Sequence, residues 1–447
     1  MKKLILLYLI LIVGSGLLAQ SPVQLSVDSL FSLAEQNSKT LDLSRYKINL
    51  ASNNTAIEKQ NAHLPELKTS FSYAYLSNAA VWDNHLNYES TVPMPHTSID
   101  FSIDASYLVF DGNASKNKIM QAGLEEQIAQ LDYQKDKEDI EFLLLAKYLD
   151  LAALSGQKQV VKENIALATR RLSEIDKLIE QGMLTHNDHI RSELLLTNLN
   201  EQFKDLTHQA AIVNHDLDIV IGLPVSTIIE VDSNFIQAAP KMDSLRRYQE
   251  DNSLRIPEIQ AADVQTKIHQ KQENITKASR LPKLSLYSGD ALSRPFIYSI
   301  PPQDIYLHLF QVGFKINYDL GSLYNSKRKI RQAHMQTILS EKNKALLEQK
   351  ATINIHTAYE NLQKATDKYL SQKQSYRLAK DNYTVVEQKY LNKFAVITDM
   401  VDAADALLSA GINMHNAKIS IIYQYYNLLK TAGLWEKASS KNLIKHR

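Results

Sequence analysis

The chain has 447 residues, 44% of them hydrophobic, with 50 basic against 49 acidic side chains. It is therefore long enough for more than one domain and carries no net charge that would attract nucleic acid. Cysteine is absent, which excludes disulfides, thiol catalysis, thiolate metal sites and a lipoprotein anchor on a terminal cysteine.

Only 12 Gly and 11 Pro occur, about half the average usage, so long uninterrupted helices are expected. At the start, Lys2 and Lys3 precede an apolar run from Leu4 to Val13, and Leu17-Leu18-Ala19 offers a cleavage site before Gln20. Residues 1–19 read as a secretory signal. A retained anchor is the alternative, but the run is short and broken by Gly14 and Gly16, so it spans poorly. No other segment reaches the ~18 apolar residues of a membrane helix, so a mature chain that crosses a bilayer must do so as strands closed into a barrel.

Four segments have that character. From Leu67 to Tyr75 and from Ile99 to Val109, apolar or aromatic side chains alternate with polar ones, the lipid-out and lumen-in pattern of an outer-membrane strand. Phe310 to Tyr318 repeats the pattern, and Leu284 to Ser288 follows it loosely. Any one of these segments alone reads first as a half-buried strand on a soluble core; two matched pairs on an exported helical chain favour the membrane. The pairs are joined by turn-rich loops, Ser77 to Thr97 and Ala291 to Pro302, too long for tight hairpins and suited to the cell exterior. Four strands cannot close a membrane barrel, whose smallest forms use about eight, so several chains must each contribute a share.

After the first strand pair, a helix from about Ser115 to Gly182 would be on the order of 100 Å long. Ile165, Ala168, Leu172, Ile175, Ile179 and Gly182 step by alternating threes and fours. A turn near Leu184 to Asn187 leads to a returning helix with Leu199, Phe203, Leu206, Ala210, Val213, Leu217 and Val220 at the same spacing, an antiparallel hairpin with a coiled-coil seam. The plain reading of such a seam is a solvated spacer. From about Ile229 to Arg255 the pattern breaks, with Pro240 and Pro257 nearby, and an irregular belt is expected there together with the tail after Gly433.

The chain then repeats itself. Leu64-Pro65-Glu66-Leu67 recurs as Leu281-Pro282-Lys283-Leu284, and Asp188 with Asp399, Gly182 with Lys393, and Gly222 with Gly433 all stand 211 positions apart. The second seam, Ala410, Met414, Ala417, Ile421, Gln424, Leu428 and Thr431, is less apolar at its far end. The expected organisation is a signal (1–19), a first repeat (20–228), a linking segment (229–256), a second repeat (257–434) and a tail (435–447).

These features together resemble the TolC family of outer-membrane efflux proteins over nearly the whole mature chain. The residues that carry the resemblance are Leu25-Ser26-Val27-Asp28-Ser29-Leu30 with the following helix, the strand pairs, Val109-Phe110-Asp111-Gly112, Ile221-Gly222-Leu223-Pro224 and Ala432-Gly433-Leu434. The resemblance implies a mainly α fold with transmembrane β: long coiled-coil hairpins forming a periplasmic tunnel, and four strands per chain in a barrel shared by a homotrimer. It further implies a conduit from the periplasm across the outer membrane of a Gram-negative bacterium. That conduit opens when a periplasmic adaptor and an inner-membrane transporter of RND, ABC or MFS type engage.

Asp399 and Asp402, three apart on one helix face, match the acidic constriction of the family. Three chains would place about six carboxylates around one opening, which draws cations and repels anions. At ~6 Å in water each like-charge pair costs only ~0.7 kcal/mol, so the ring stays ionised in a wet pore. The plainer reading is a pair of helix-start aspartates that favour the macrodipole by about 0.3 to 1 kcal/mol, and the two are compatible. Tyr390 and Asp188 match the family's latch positions, but Ala395 stands where the family has an arginine. Lys393 and Arg191 are the candidates to replace it, although lysine lacks the planar fork. His186 and His189 flank Asp188; solvated histidines beside a helix start are the plain reading, against a metal or pH role.

No phosphate-binding glycine loop, metalloprotease motif or nucleophile elbow occurs, so neither enzymatic activity nor a cofactor is expected. The leading expectation is an efflux duct. A type I protein-secretion duct and a non-conducting exported coiled-coil scaffold or adhesin are the alternatives.

Overall fold

Helices dominate, as the scarcity of glycine and proline requires. The computed structural model describes residues 23–435 apart from 226, 238, 239, 241, 251 and 300. The expected signal, 1–19, and the tail beyond Trp435 lie outside the described residues. Strand β1 (Val23–Leu25) leads into helices α1 (Val27–Asn37) and α2 (Lys39–His63). Strands β2 (Glu66–Tyr75), β3 (Ala79–Trp82), β4 (Tyr88–Val92) and β5 (Thr97–Phe110) follow, then helices α3 (Ala114–Glu180) and α4 (His186–Ile221). Strand β6 (Ile229–Val231) and the short helices α5 (Ser233–Gln237), α6 (Leu245–Gln249) and α7 (Asn252–Arg255) make up the irregular segment. Helix α8 (Pro257–Ala278), strands β7 (Lys283–Arg294) and β8 (Leu307–Asn317), and helices α9 (Ser322–Leu391) and α10 (Ile397–Thr431) complete the chain.

Two compact units share these elements. One consists of Tyr46–Leu131 and Ala261–Ala345; the remaining described residues form the other. The first holds a four-stranded antiparallel sheet in the order β2-β5-β7-β8, so β2 and β8 are its edges. The register places Leu67, Phe71, Tyr73, Phe101, Val312 and Phe314 on one face, and no described residue covers them: Phe71 and Phe314 are each 69% exposed. On the opposite face Ser70 and Ser102 share a hydrogen bond of 2.9 Å, and the Ser102 hydroxyl donates to Asp104 at 2.9 Å. Gly313 lies on that polar face beneath the ring of Tyr287, where a Cβ would stand 3.1 Å from three ring-end atoms.

Two expectations change here. The segment read as an open loop, Ser77 to Thr97, contains the β3–β4 hairpin, because the Asp83 carboxylate accepts from the His85 and Asn87 backbone N–H groups at 2.8 and 2.7 Å and closes the turn. Strand β7 does not stop near Ser288 but runs to Arg294, because β5 and β8 flank it with backbone partners along its length. Its side chains pattern less well as a result: Ser288 and Asp290 fall on the apolar face, where His308 Nε2 lies 2.5 Å from Asp290 Oδ1.

The helical unit is held by two clusters of buried side chains. In one, Leu30 and Phe31 of α1, Leu144 and Tyr148 of α3, Ile355 of α9 and Tyr426 of α10 pack around the Trp435 indole. That ring is 1% exposed, donates from Nε1 to Glu141 at 2.6 Å and lies about 6 Å from the rings of Phe31, Phe142 and Tyr426. The Tyr148 hydroxyl donates to the Leu25 carbonyl at 2.7 Å and accepts from the Asp232 N–H at 2.7 Å, which ties the parallel β1–β6 pair to α3. The other cluster joins Val161, Ala168 and Ile175 of α3 to Leu195, Leu199 and Leu206 of α4, Tyr383 and Tyr390 of α9, and Met400, Ala403 and Leu407 of α10.

Each long helix reverses through the same closure. Gly182 and Met183 donate back to Ile179 and Leu178 at 2.8 Å, and Lys393 and Phe394 donate to Tyr390 and Lys389 at 3.0 and 2.7 Å, with Gly182 and Lys393 both left-handed at φ 69° and 64°. Lysine has no advantage in that conformation over a residue without a Cβ. Lys393→Gly is expected to raise stability by about 1 kcal/mol, read as a shift in the denaturant midpoint. Trp435→Ala should cost about 3 to 5 kcal/mol in the same measurement.

Candidate functional site

The two reversals place the sequence-predicted residues at one end of the helical unit, among four helices. Both returning helices begin with an aspartate that satisfies backbone donors. Asp188 Oδ2 accepts from the Thr185 N–H at 2.9 Å and from its hydroxyl at 2.6 Å, and Asp399 Oδ2 accepts from the Val396 N–H at 3.2 Å. The plain reading of Asp399 therefore holds: it sits in the first turn of α10 and works as part of the cap. Asp402 has no such duty and is exposed, as is Asp399. On α10 the buried positions are Ile397, Met400, Ala403, Ala404 and Leu407, so the two carboxylates share the opposite, uncovered face.

Tyr390 and Asp188 do come together. Tyr390 is 3% exposed, and its hydroxyl lies beside Asp188 without meeting any group in hydrogen-bond geometry. Burial, and then the Asp188 charge, push the Tyr390 hydroxyl up to about 12. Lys393 and Arg191 are exposed; Arg191 lines an open groove between α4 and α10 with Leu194, Val401 and Asp405.

The arginine that reaches this network is Arg171 of α3. It is 5% exposed, donates from Nη2 to the Tyr383 hydroxyl and stacks 5.3 Å from that ring, while its Nε has no partner. The Tyr383 hydroxyl in turn donates to Glu387 at 2.9 Å, and burial is the main cause that raises it to about 12. A signal for Arg171 was present in the sequence. It stands three after Ala168 and four before Ile175, inside the apolar stripe, where a cation needs a reason to be. Leu172, expected in the seam, is only half-buried, and Arg171 takes the inward position.

His189 is not simply solvated. Its Nδ1 lies 2.6 Å from Asp176 of α3 and its Nε2 3.5 Å from Glu193 of α4, so the ring bridges both arms of the first reversal, and His186 stacks on it at 5.8 Å. Among the described residues no group of three or more His, Cys, Asp or Glu is arranged to hold a metal ion, and no helix is long and apolar enough to cross a membrane.

No protein-family profile matches the chain, and no curated protein is similar to it in sequence. Solved structures do match. The outer membrane protein VceC of Vibrio cholerae superposes with a TM-score of 0.73 at 13% identity, over 91% of this chain and 96% of that one. CusC, described by its transmembrane channel formation, gives 0.73 at 15% identity over 93% and 95%. The CmeC outer membrane channel of Campylobacter jejuni gives 0.70 at 15% identity over 96% and 94%. The chain therefore has the mainly helical fold, with a small antiparallel sheet, of these outer-membrane channels, the fold that the TolC-family resemblance implies.

Proposed function

We propose that the protein is an outer-membrane efflux channel, a passive conduit through which a periplasmic adaptor and an inner-membrane transporter deliver substrates to the exterior. The observation that carries this reading is the sheet: one face apolar and uncovered, the other hydroxylated and acidic, and both edge strands unpaired. A spanning segment must satisfy every backbone group, so β8 of one copy pairs with β2 of the next until the ring closes. Exposed side chains on α2 (Leu43, Tyr46, Leu50) and on α9 (Met335, Leu339, Leu346) supply matching uncovered faces beside those edges in sequence. Three copies would bring about twelve strands, within the range of membrane barrels. The two repeats, 20–228 and 257–434, would then alternate around the tunnel.

The exposed carboxylates of Asp399 and Asp402 form the selectivity ring at the periplasmic end. Arg171, Tyr383, Tyr390 and Asp188 form the latch, with Arg171 supplying the guanidinium absent at Ala395. In planar bilayers the purified protein is expected to give small, cation-selective currents. Asp402→Asn should move the cation-to-anion permeability ratio toward unity with no change in stability, because Asp402 caps nothing. Asp399→Ala should lower selectivity and also cost about 1 kcal/mol for the lost cap. Unchanged selectivity in the Asp399→Ala, Asp402→Ala protein would place the constriction elsewhere, and a protein that inserts without conducting would refute the channel.

The two raised tyrosines give the latch a pH signature. The closed latch holds protons that a released tyrosine loses near pH 10, so its stability is fully present below about pH 10 and is lost as pH rises toward about 12. Open probability should therefore climb across that interval. Tyr383→Phe combined with Tyr390→Phe should flatten the climb.

A further inference from the structure

We propose that Asp405 is a positioning residue for opening, the second partner that Arg171 takes when it leaves Tyr383. The inference rests on the channel and latch reading above. Asp405 continues the spacing of Asp399 and Asp402 by three more residues and is exposed as they are, but it also edges a recess that Arg171 reaches. It lines a cavity of about 10 Å³ together with Asn164 and Arg171 of α3 and Leu195 of α4. That space has room for about one water.

Arg171 is incompletely satisfied as placed, and Asp405 carries a perturbed carboxyl. Arg171 engages α9 through Tyr383, yet its Nε is buried and has no acceptor. Burial, and then the neighbouring Asp402 charge, raise the Asp405 carboxyl pKa, and no arginine acts to lower it. A guanidinium has five donors in a rigid fork and can turn about its stem from one acceptor to another. Tyr383 of α9 offers a neutral oxygen, and Asp405 of α10 offers a charged one across the cavity. One cation between two helices, with one acceptor on each, makes a two-state element of the kind that gates need.

The two halves of the chain differ at this position. The residue 211 earlier is Leu194, so only the second hairpin carries the alternative acceptor. Arg191 of α4 lines the open groove on the other side of Asp405.

The test is single-channel recording of the full-length protein in planar bilayers at neutral pH. Asp405→Asn should shorten open dwell times about tenfold, the worth of a hydrogen bond to a charged group, whereas Asp405→Glu should keep them. Tyr383→Phe should raise opening frequency, and adding Asp405→Asn should shorten the openings of that variant as it does in the wild type. Equal melting temperatures of the wild-type and Asp405→Asn proteins would assign the change to gating rather than folding. A conducting wild type whose dwell times are matched by Asp405→Asn in both backgrounds overturns this inference alone. A silent wild type overturns the channel reading and this inference with it.

Discussion

A helix of 67 residues with an apolar stripe along one side cannot remain in water unless another helix lies against that stripe, and the chain supplies its own. To do so it must reverse within a few residues and re-enter helical geometry in the register that faces seam to seam. The double hydrogen-bonded closure at Gly182 and at Lys393 stops each helix, and the first-turn aspartates, Asp188 and Asp399, start the next. Ile175 and Met400 share one buried cluster with side chains of α4 and α9 because these two short motifs set the phase. Everything placed at this end, the carboxylates of α10 included, inherits its position from them.

Arg171 is the costly element in that packing. A guanidinium at 5% exposure without a carboxylate on it has given up water for a phenol oxygen and an aromatic face. An apolar residue in the same stripe would pack against Ala168 and Ile175 with no such penalty. On the proposed channel reading, a residue that weakens its own seam would stand where that seam opens. Tyr383 relays to Glu387, Tyr390 sits beside Asp188, and the Tyr390 hydroxyl and Arg171 Nε lack partners. A fully satisfied network would be more stable and harder to release.

Much of the fold was legible because period and composition act locally. The 3-4 spacing from Ile165 onward and the alternation from Ile99 to Val109 each report one neighbouring surface, and both elements formed where that spacing placed them. What could not be read depends on partners distant in sequence. β7 extends to Arg294 because two flanking strands hold it, a fact its own side chains obscure. Arg171 is hidden from the periodicity because Leu172, one residue on and apolar, fits the same stripe. Asp188, Asp399 and Tyr390 are singled out by the family pattern, and the structure brings Tyr390 beside Asp188. The pairing of Asp176 with His189 had no pattern to announce it, since any two residues on opposite arms of a hairpin can meet.

The sheet sets the terms for assembly. An edge strand offers the same unpaired groups to any chain that arrives, and a monomer with two edges and an apolar face would aggregate if it waited in water. Pairing β8 of one copy with β2 of another is a head-to-tail contact, which gives a closed ring if the rotation per copy divides a full turn and a filament if it does not. The strand twist alone does not choose between these outcomes. The helices can, because α2 and α9 carry exposed apolar side chains at heptad-like intervals, Leu43, Tyr46, Leu50 and Ile57 on one, Leu339, Leu346 and Ile353 on the other. A seam of that length tolerates little error in angle from one copy to the next. On the proposed channel reading, closure of the barrel would be imposed by the helices, and the strands would follow their curvature.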